Sequence, residues 1–367
     1  MKVGSVFLAA LAAAFLWLPI GGSAQAVPGQ ASSSAITLDV VVTNKSGVPV
    51  VDLQPADFKL LDKKQAQSLI SVQIADGASA KTDAATEAIL VVDAVNGSLE
   101  TVESERQMLA RFLQENGGEL ALPTSLAVLS DQGMTVKNPP TRKGKELVDF
   151  LNANIPGLRP LSTFGWDADM AREQLSLKAF DFLIAQTSRK PGRKLLIWLS
   201  PGWRLQTSGN WVASQKDRQM LFNKVAALST ALRTARVTVY SLDPSGINSE
   251  LTFQQIYEAY LKGVDAPNHV DYGYLLLQVL ATQTGGKALS AASDMAGLLD
   301  KCMEDARAYY VLSFSLPPSA HPNEYHSIEV QIDKPGLRAR TRTGYYALPA
   351  AAEKQSTPSA SPQAPAN

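Results

Sequence analysis

The chain has 367 residues, of which 45% are hydrophobic and 19% are charged, with 34 basic and 34 acidic side chains. These proportions indicate a globular protein with a large core and exclude a disordered or collagen-like chain. The zero net charge argues against a general affinity for nucleic acid. A single cysteine, Cys302, excludes an intramolecular disulfide framework, and three histidines leave few candidates for histidine-based catalysis.

The first 26 residues have the pattern of a cleavable export signal. Lys2 supplies the positive start, Val6 to Ile20 is apolar apart from Pro19, and Ala24-Gln25-Ala26 places small residues at the cleavage position. The apolar run is about fifteen residues, short for a membrane anchor, which needs roughly 20. We therefore predict an exported protein, periplasmic or extracellular, with no membrane insertion of the mature chain.

The remaining sequence changes its pattern twice. Residues 35–75 contain short β-branched runs between turn residues, which predicts the N-terminal half of a β domain. Residues 87–307 alternate apolar runs with amphipathic stretches, which predicts an α/β domain with a doubly wound, mostly parallel sheet. Residues 308–348 return to short strands, so we expect the α/β domain to be inserted between two halves of one β domain. Residues 349–367, rich in Ala, Ser, Pro and Gln, predict a disordered tail.

Within the α/β region the two periodicities locate individual elements. The unbroken apolar runs predict buried strands at 88–92, 125–129, 195–199, 237–242 and 287–289, with a short strand at 134–137. The helical stripes predict helices at 99–115, 143–152, 167–187, 211–233, 272–282 and 294–307.

Ligands of an open α/β sheet bind at the carboxyl ends of its strands, so the loops after the predicted strands are the candidate site. Asp93 follows the first strand, Ser200-Pro201-Gly202-Trp203 the third and Asp243-Pro244-Ser245-Gly246 the fourth. This order of elements, with a late Thr284-Gly285-Gly286 turn, resembles the von Willebrand factor A domain. The runs ITLDVVVTNKSGVPVVDL, LSPGW, SLDPSG and YYVLSFS…RTRTGYYA resemble the related proteins common in Acidobacteria, over residues 35 to 348.

The resemblance implies a metal-ion-dependent adhesion site, in which an Asp-x-Ser-x-Ser loop, a Thr and a second Asp hold a divalent cation that binds a carboxylate of the partner. Asp93 matches the first Asp, but Val95 and Gly97 stand where the two Ser should be. A shift of one residue would offer Asn96 and Ser98, Thr163 matches the Thr, and Ser200 replaces the second Asp. The candidate metal ligands are therefore Asp93, Asn96, Ser98, Thr163 and Ser200.

A site with one carboxylate gives a divalent ion little advantage over its own hydration. We therefore expect a degenerate site with no required cofactor, in which Asp93 caps the following helix or binds loop amides. Binding of Mg²⁺ or another divalent cation is the alternative.

Aromatic residues fall in or beside the same loops. Trp166, Trp203 and Trp211 would form a rim around Asp93 if the loops converge, and exposed aromatics are favoured contacts for protein partners. The alternative is that they pack beneath the loops. With Asp93 and Asp243 they are the predicted partner-binding residues, and substitution of Asp93 or Trp203 is expected to weaken binding without changing the melting temperature.

Three functions follow from these patterns. The main hypothesis is an exported, non-enzymatic adhesion or scaffold module that binds an unknown protein partner. A cation-dependent adhesion domain with altered ligands is the second, and a secreted hydrolase using the carboxylates of Asp93 and Asp243 is the third. The sequence contains no Gly-x-Ser-x-Gly, phosphate-binding Gly loop or His-Glu-x-x-His pattern.

Overall fold

The described strands divide between one mixed sheet and two antiparallel sheets. The computed structural model describes residues 35–76, 86–156, 161, 166–203, 214–244, 257–290, 294–317, 319 and 321–347, without the side chains of positions 76, 166 and 167. The predicted export signal at 1–26 and the predicted tail at 349–367 lie outside the described residues. Among the described residues, no helix has the length and apolar composition needed to cross a bilayer.

Six strands form the central sheet, in the order β10-β9-β8-β5-β6-β7. All pairs are parallel except β6 with β7, which is antiparallel at the edge. Every residue of β8 and β9 is buried, as the apolar runs predict for strands covered on both faces. The six strands are β5 (Glu87–Asp93), β6 (Glu119–Ser130), β7 (Gly133–Lys143), β8 (Lys194–Leu199), β9 (Val237–Asp243) and β10 (Ala288–Ser290).

Helices cover both faces of this sheet. The described α-helices here are α1 (Leu99–Gln114), α2 (Gly144–Asn154), α3 (Trp166–Thr187), α4 (Gln215–Thr234), α5 (Leu277–Gln283) and α6 (Met295–Arg307). Side chains of α1, α2 and α6 share one core with the sheet, and those of α3, α4 and α5 share the other. The predicted α/β class is therefore confirmed, and the relation to the von Willebrand factor A domain stays a prediction.

Two predicted helices begin later than their sequence pattern indicates. Helix α4 begins after Ser214, whose hydroxyl accepts the backbone N–H of Asp217 in a capping box. Helix α5 begins at Leu277 because Asp271 caps a short 3₁₀ turn, Tyr272–Leu275, in front of it. In both cases a local side-chain cap overrides the apolar periodicity.

The two antiparallel sheets combine strands from both ends of the described chain. Their orders are β13-β1-β11-β4 and β14-β12-β2-β3, and apolar side chains of both sheets form one shared core. Strand β1 pairs with β11 and β13, and β2 pairs with β12. The strands are β1 (Ala35–Thr43), β2 (Phe58–Asp62), β3 (Gln65–Gln67), β4 (Leu69–Asp76), β11 (Ala308–Ser315), β12 (Glu324–Ile332), β13 (Arg338–Arg340) and β14 (Gly344–Ala347).

A buried ionic network joins helix α6 to strand β13. Asp305, only 2% exposed, accepts the hydroxyl of Tyr240 at 2.7 Å and the guanidinium of Arg340 through Oδ2. Its Oδ1 accepts Lys287 Nζ at 3.3 Å. A buried carboxylate is stable only when it is paired and hydrogen-bonded, and Asp305 meets both conditions with groups from three different elements or turns.

A second ion pair fastens the central sheet to strand β1. Arg236, in the turn before β9, donates to Asp39 Oδ1 at 2.6 Å. Nearby, the guanidinium of Arg193 lies 4.5 Å from the ring centre of Tyr309 and donates to the backbone oxygen of Asp305 at 2.7 Å. The mixed sheet and the antiparallel sheets are therefore linked by charged contacts as well as by the polypeptide.

Replacement of Asp305 tests this linkage. Asp305→Ala leaves the half-buried Arg340 and Lys287 without their counter-charge and the buried Tyr240 hydroxyl without an acceptor, so we expect the free energy of unfolding to fall by about 2 to 4 kcal/mol in a urea titration. Asp300→Ala, at an exposed position of the same helix, is the matched control and should change it by less than about 0.5 kcal/mol. Equal effects of the two substitutions would contradict a structural role for the network.

Candidate functional site

Three polar residues lie side by side at the carboxyl end of the central sheet. Strand register pairs Val92 with Leu199 and Leu199 with Leu242, so the residues that follow them, Asp93, Ser200 and Asp243, continue the same row. Asp93 and Asp243 are two strands apart, a backbone separation of about 9.5 Å. We call this end of the sheet the crest.

The carboxylate of Asp93 is fully buried and accepts four hydrogen bonds. Its Oδ1 accepts the backbone N–H groups of Val95 and Asn96, both at 3.0 Å. Its Oδ2 accepts Asn96 Nδ2 at 2.8 Å and the indole Nε1 of Trp198 at 2.9 Å. Trp198 reaches it because β8 lies beside β5.

The four donors occupy the acceptor positions of the Asp93 carboxylate. An ionised Asp offers about four lone-pair positions on its two oxygens. A cation at Asp93 would have to displace one of the protein donors and leave it buried without a partner, which is costly. The geometry therefore favours the expectation that Asp93 binds loop amides over the expectation that it ligates a metal.

The other candidate metal ligands serve local structure. Asn96 directs its amide nitrogen to Asp93 and to Ser176 Oγ at 2.9 Å. Ser98 caps α1 by accepting the N–H of Thr101 at 3.1 Å, and Ser200 accepts the N–H of Gly202 at 3.1 Å. Thr163 lies outside the described residues. Within the described part of the chain, no group of three or more His, Cys, Asp or Glu is placed to hold a metal ion.

The prediction of an exposed aromatic rim is wrong for Trp203. Its side chain is 3% exposed and packs edge-on against Phe180 and Trp198, with ring centres 5.4 and 5.2 Å apart. The chain after β8 returns the ring beneath the crest, where it buries more apolar area than an exposed position would. The side chain of Trp166 and all of Trp211 lie outside the described residues.

Asp243 also differs from the prediction of an exposed partner-binding residue. It is 3% exposed, and its Oδ2 accepts the hydroxyl of Ser290 at 3.3 Å. Strand β10 lies beside β9 and aligns Ser290 with Asp243, which covers the carboxylate. Since both Asp93 and Asp243 are buried, neither presents an open carboxylate at the crest.

Glu105 is a crest-related residue that the sequence analysis missed. It is fully buried on α1, and both of its carboxylate oxygens are without a hydrogen-bond partner among the described residues. Burial, and then the charges of Asp93 and Asp243, raise the pKa of Glu105 well above its ordinary value of 4.5. Its sequence signal is its position in the apolar stripe of α1, three residues after Val102 and four before Leu109.

One large apolar side chain at the crest faces solvent. Leu99, the first residue of α1, is 44% exposed directly after the Ser98 cap. The loop from Asp93 to Ser98 is held by the bonds to Asp93, so this end of α1 has a fixed position. Leu99 is therefore an accessible contact point on a rigid support.

The saturation of Asp93 predicts a large stability effect. Asp93→Ala removes the acceptor of the buried Val95 N–H and Trp198 indole and of the half-buried Asn96 N–H, and we expect the free energy of unfolding to fall by about 3 kcal/mol or more in urea titrations. This replaces the expectation of an unchanged melting temperature. Asp131→Ala, after the neighbouring strand β6, is the control and should cost less than about 1 kcal/mol. An unaltered stability of Asp93→Ala would contradict the closed arrangement.

Removal of the Glu105 carboxyl is expected to stabilise the protein, unlike removal of the Asp93 carboxylate, and the gain should depend on pH. Because the folded chain holds its proton more tightly than the unfolded chain, stability from this group is full below about 4.5 and is lost as pH rises toward the folded pKa. Glu105→Met should raise the free energy of unfolding by about 1 to 3 kcal/mol at pH 8 and by less at pH 5.

The control for this measurement is Glu100→Met on the same helix, where the side chain is exposed. It should change the free energy of unfolding by less than about 1 kcal/mol at either pH. A destabilising Glu105→Met at pH 8 would show that the carboxyl of Glu105 makes an interaction that favours the folded state.

Comparison with known proteins gives only distant likenesses. No protein-family model matches the chain, and no curated protein matches it. Among solved structures, the pilus adhesin SpaC from Lactobacillus rhamnosus GG aligns with a TM-score of 0.35 and 8% identity, over 80% of this chain and 49% of that one. The same adhesin in an open conformation gives 0.33 and 9%, over 80% and 48%. The chain thus spans about half the length of that adhesin, and likenesses of this size establish neither a family nor a function.

Proposed function

We propose that the chain is an exported, non-enzymatic protein-binding module, an adhesion or scaffold protein. Its α/β domain is of the von Willebrand factor A type, with a degenerate metal-ion-dependent adhesion site. The observation that carries the proposal is the closed carboxylate of Asp93, which accepts four protein donors where the intact site would hold a cation. Export is supported by the pattern of the first 26 residues.

Burial at the crest argues against the hydrolase hypothesis. A pair of catalytic carboxylates must reach the substrate or the water that attacks it. Asp93 is fully buried and Asp243 is 3% exposed, and both accept hydrogen bonds from neighbouring side chains. A substrate would have to displace these donors before it reached either carboxylate.

The hypothesis of a cation-dependent site is weakened by the same donors. Displacing Trp198 Nε1 would leave an indole N–H buried in the core, because this ring is packed against Phe180 and Trp203. An adhesion surface without a cation instead uses side chains that already face solvent. Leu99 supplies such a side chain beside the loop that Asp93 holds.

Capture of partners from the native envelope fraction tests the proposal. The chain without its predicted signal is immobilised and exposed to the fraction in Mg²⁺ and, separately, in EDTA. We expect the same bound proteins in both conditions, and about fivefold weaker binding of them by Leu99→Ser, as for truncation of a contact worth about 1 kcal/mol. Ile70→Thr, which removes an exposed apolar side chain from strand β4, is the control and should bind normally.

The outcomes separate the alternatives. Binding that disappears in EDTA would support the cation-dependent site and overturn the degenerate one. Equal binding by the two variants would place the contact surface away from α1. Absence of any specifically bound protein in both conditions would contradict a protein-binding role.

A further inference from the structure

Helices α3 and α4 leave a groove between them on one face of the central sheet. It has a volume of about 920 Å³ and is lined along its floor by Ile184 and Leu228, which are buried, and by small residues. The small residues are Ala185, Ala227 and Ala231, and the first two are exposed. Small side chains on two neighbouring helices leave space that a larger pair would fill, which explains why the groove exists.

The apolar surface continues beyond the groove along α4. Met220 is 60% exposed and precedes the groove residue Asn223 by three positions, so the two lie on the same side of the helix. Exposed Met220 and Ala227 place apolar area on this side of α4, interrupted by the polar Asn223 and Lys224, and the described residues leave it uncovered. An apolar surface of this kind often marks a contact with another segment or a partner.

The end of the described chain lies at this groove. Asn323, in the turn before β12, is one of its lining residues. The backbone N–H of Asn323 donates to the carbonyl of Ala347 at 3.1 Å, and Ala347 is the last residue of β14. The described chain therefore ends, at Ala347, beside a lining residue of the groove.

The segment that follows has a suitable length and composition. Residues 348–367 are twenty residues; extended, they span at most about 66 to 72 Å. The part of α4 from Asn223 to Thr234 is only about 16 Å long. The segment starts with Leu348 and Pro349, continues with three alanines and then has Glu353 and Lys354.

Each of the two helices carries one charged side chain beside the groove, and the two charges have opposite signs. Asp181 of α3 and Lys224 of α4 both line the groove, one on each side, and both are exposed. Adjacent Glu353 and Lys354 supply one partner of each sign, and the preceding alanines are small enough to lie against Ala185 and Ala227. We propose that residues 348–354 dock in the α3–α4 groove of their own chain and cover it.

This inference goes beyond the proposed function, because it concerns a face formed by α3 and α4 and not the crest at Leu99. Docking within the chain would keep the exposed apolar area of α4 from self-association.

Thiol labelling of the full chain measures the docking. Ala227→Cys places a thiol in the groove, and the native Cys302 is fully buried and does not compete for reagent. We compare its reaction rate with a maleimide in the native background and with Leu348→Asp and Ala351→Asp added. The added acidic residues should raise the rate about fivefold or more, the factor that roughly 1 kcal/mol of lost docking gives.

The matched control is Ser104→Cys, at an exposed position of α1 in the helix layer on the opposite face of the sheet. Its rate should not respond to the two aspartates.

A second, independent readout uses trypsin: Lys354 is the single Lys or Arg in residues 348–367. Ala227→Trp, which fills the groove, should accelerate cleavage after Lys354 without lowering the melting temperature.

Each other outcome overturns the proposal. Equal labelling rates with and without the two aspartates, at all protein concentrations, would mean that the segment does not cover the groove and would leave it to a partner protein. Protection that increases with protein concentration and survives the aspartates would assign the groove to a second copy of the chain. Unchanged cleavage in Ala227→Trp would show that the groove does not hold Lys354.

Discussion

A carboxylate placed at the end of a buried parallel strand must find donors within the protein, and Asp93 shows how strongly this need orders its surroundings. Two backbone amides, one side-chain amide and one indole converge on it, so a single charge fixes the turn after β5 and the ring of Trp198. The same Asn96 amide reaches Ser176 and thereby ties this turn to α3. The crest is ordered by the requirements of one buried ion.

Buried charge organises the opposite end of the sheet in a different way. Asp305 is matched there by cationic groups, Arg340 and Lys287, whereas Asp93 is matched by neutral dipoles. Ion pairs with long side chains can connect elements that lie far apart in sequence, and this one joins α6 to a strand of the antiparallel sheets. At Asp93, three of the four hydrogen bonds come from the turn that follows it, and the fourth comes from Trp198 on the adjacent strand β8. Ion pairs with long side chains therefore connect distant elements here, and hydrogen bonds from neutral groups fix a loop to its neighbouring strand.

The sequence predicted the elements better than the side-chain environments. Continuous apolar runs identified β8 and β9 because strands covered on both faces need no polar face. Such a run does not reveal in which direction the chain turns after its last residue, and this turn decides whether Trp203 is exposed or buried. Likewise, helical periodicity places Glu105 on the apolar face of α1, but its lack of partners depends on what packs opposite it. The burial of Trp203 and the absence of a partner for the Glu105 carboxyl among the described residues both depend on tertiary packing, which the sequence pattern does not specify.

Glu105 and Asp93 show how packing around the first strand and α1 encloses two carboxyl groups in different surroundings. Two carboxyl groups in contrasting environments are the usual basis of acid–base pairs in enzymes, where one keeps a proton that the other has lost. Here the two surroundings differ, since Asp93 has four donors and Glu105 has no hydrogen-bond partner among the described residues. Catalysis also requires that a substrate reach them, and both side chains are fully buried. The contrast is therefore a consequence of packing at the junction of α1 and the sheet, and among the described residues it is Leu99, at the apolar start of α1, that presents a large apolar side chain to solvent beside them.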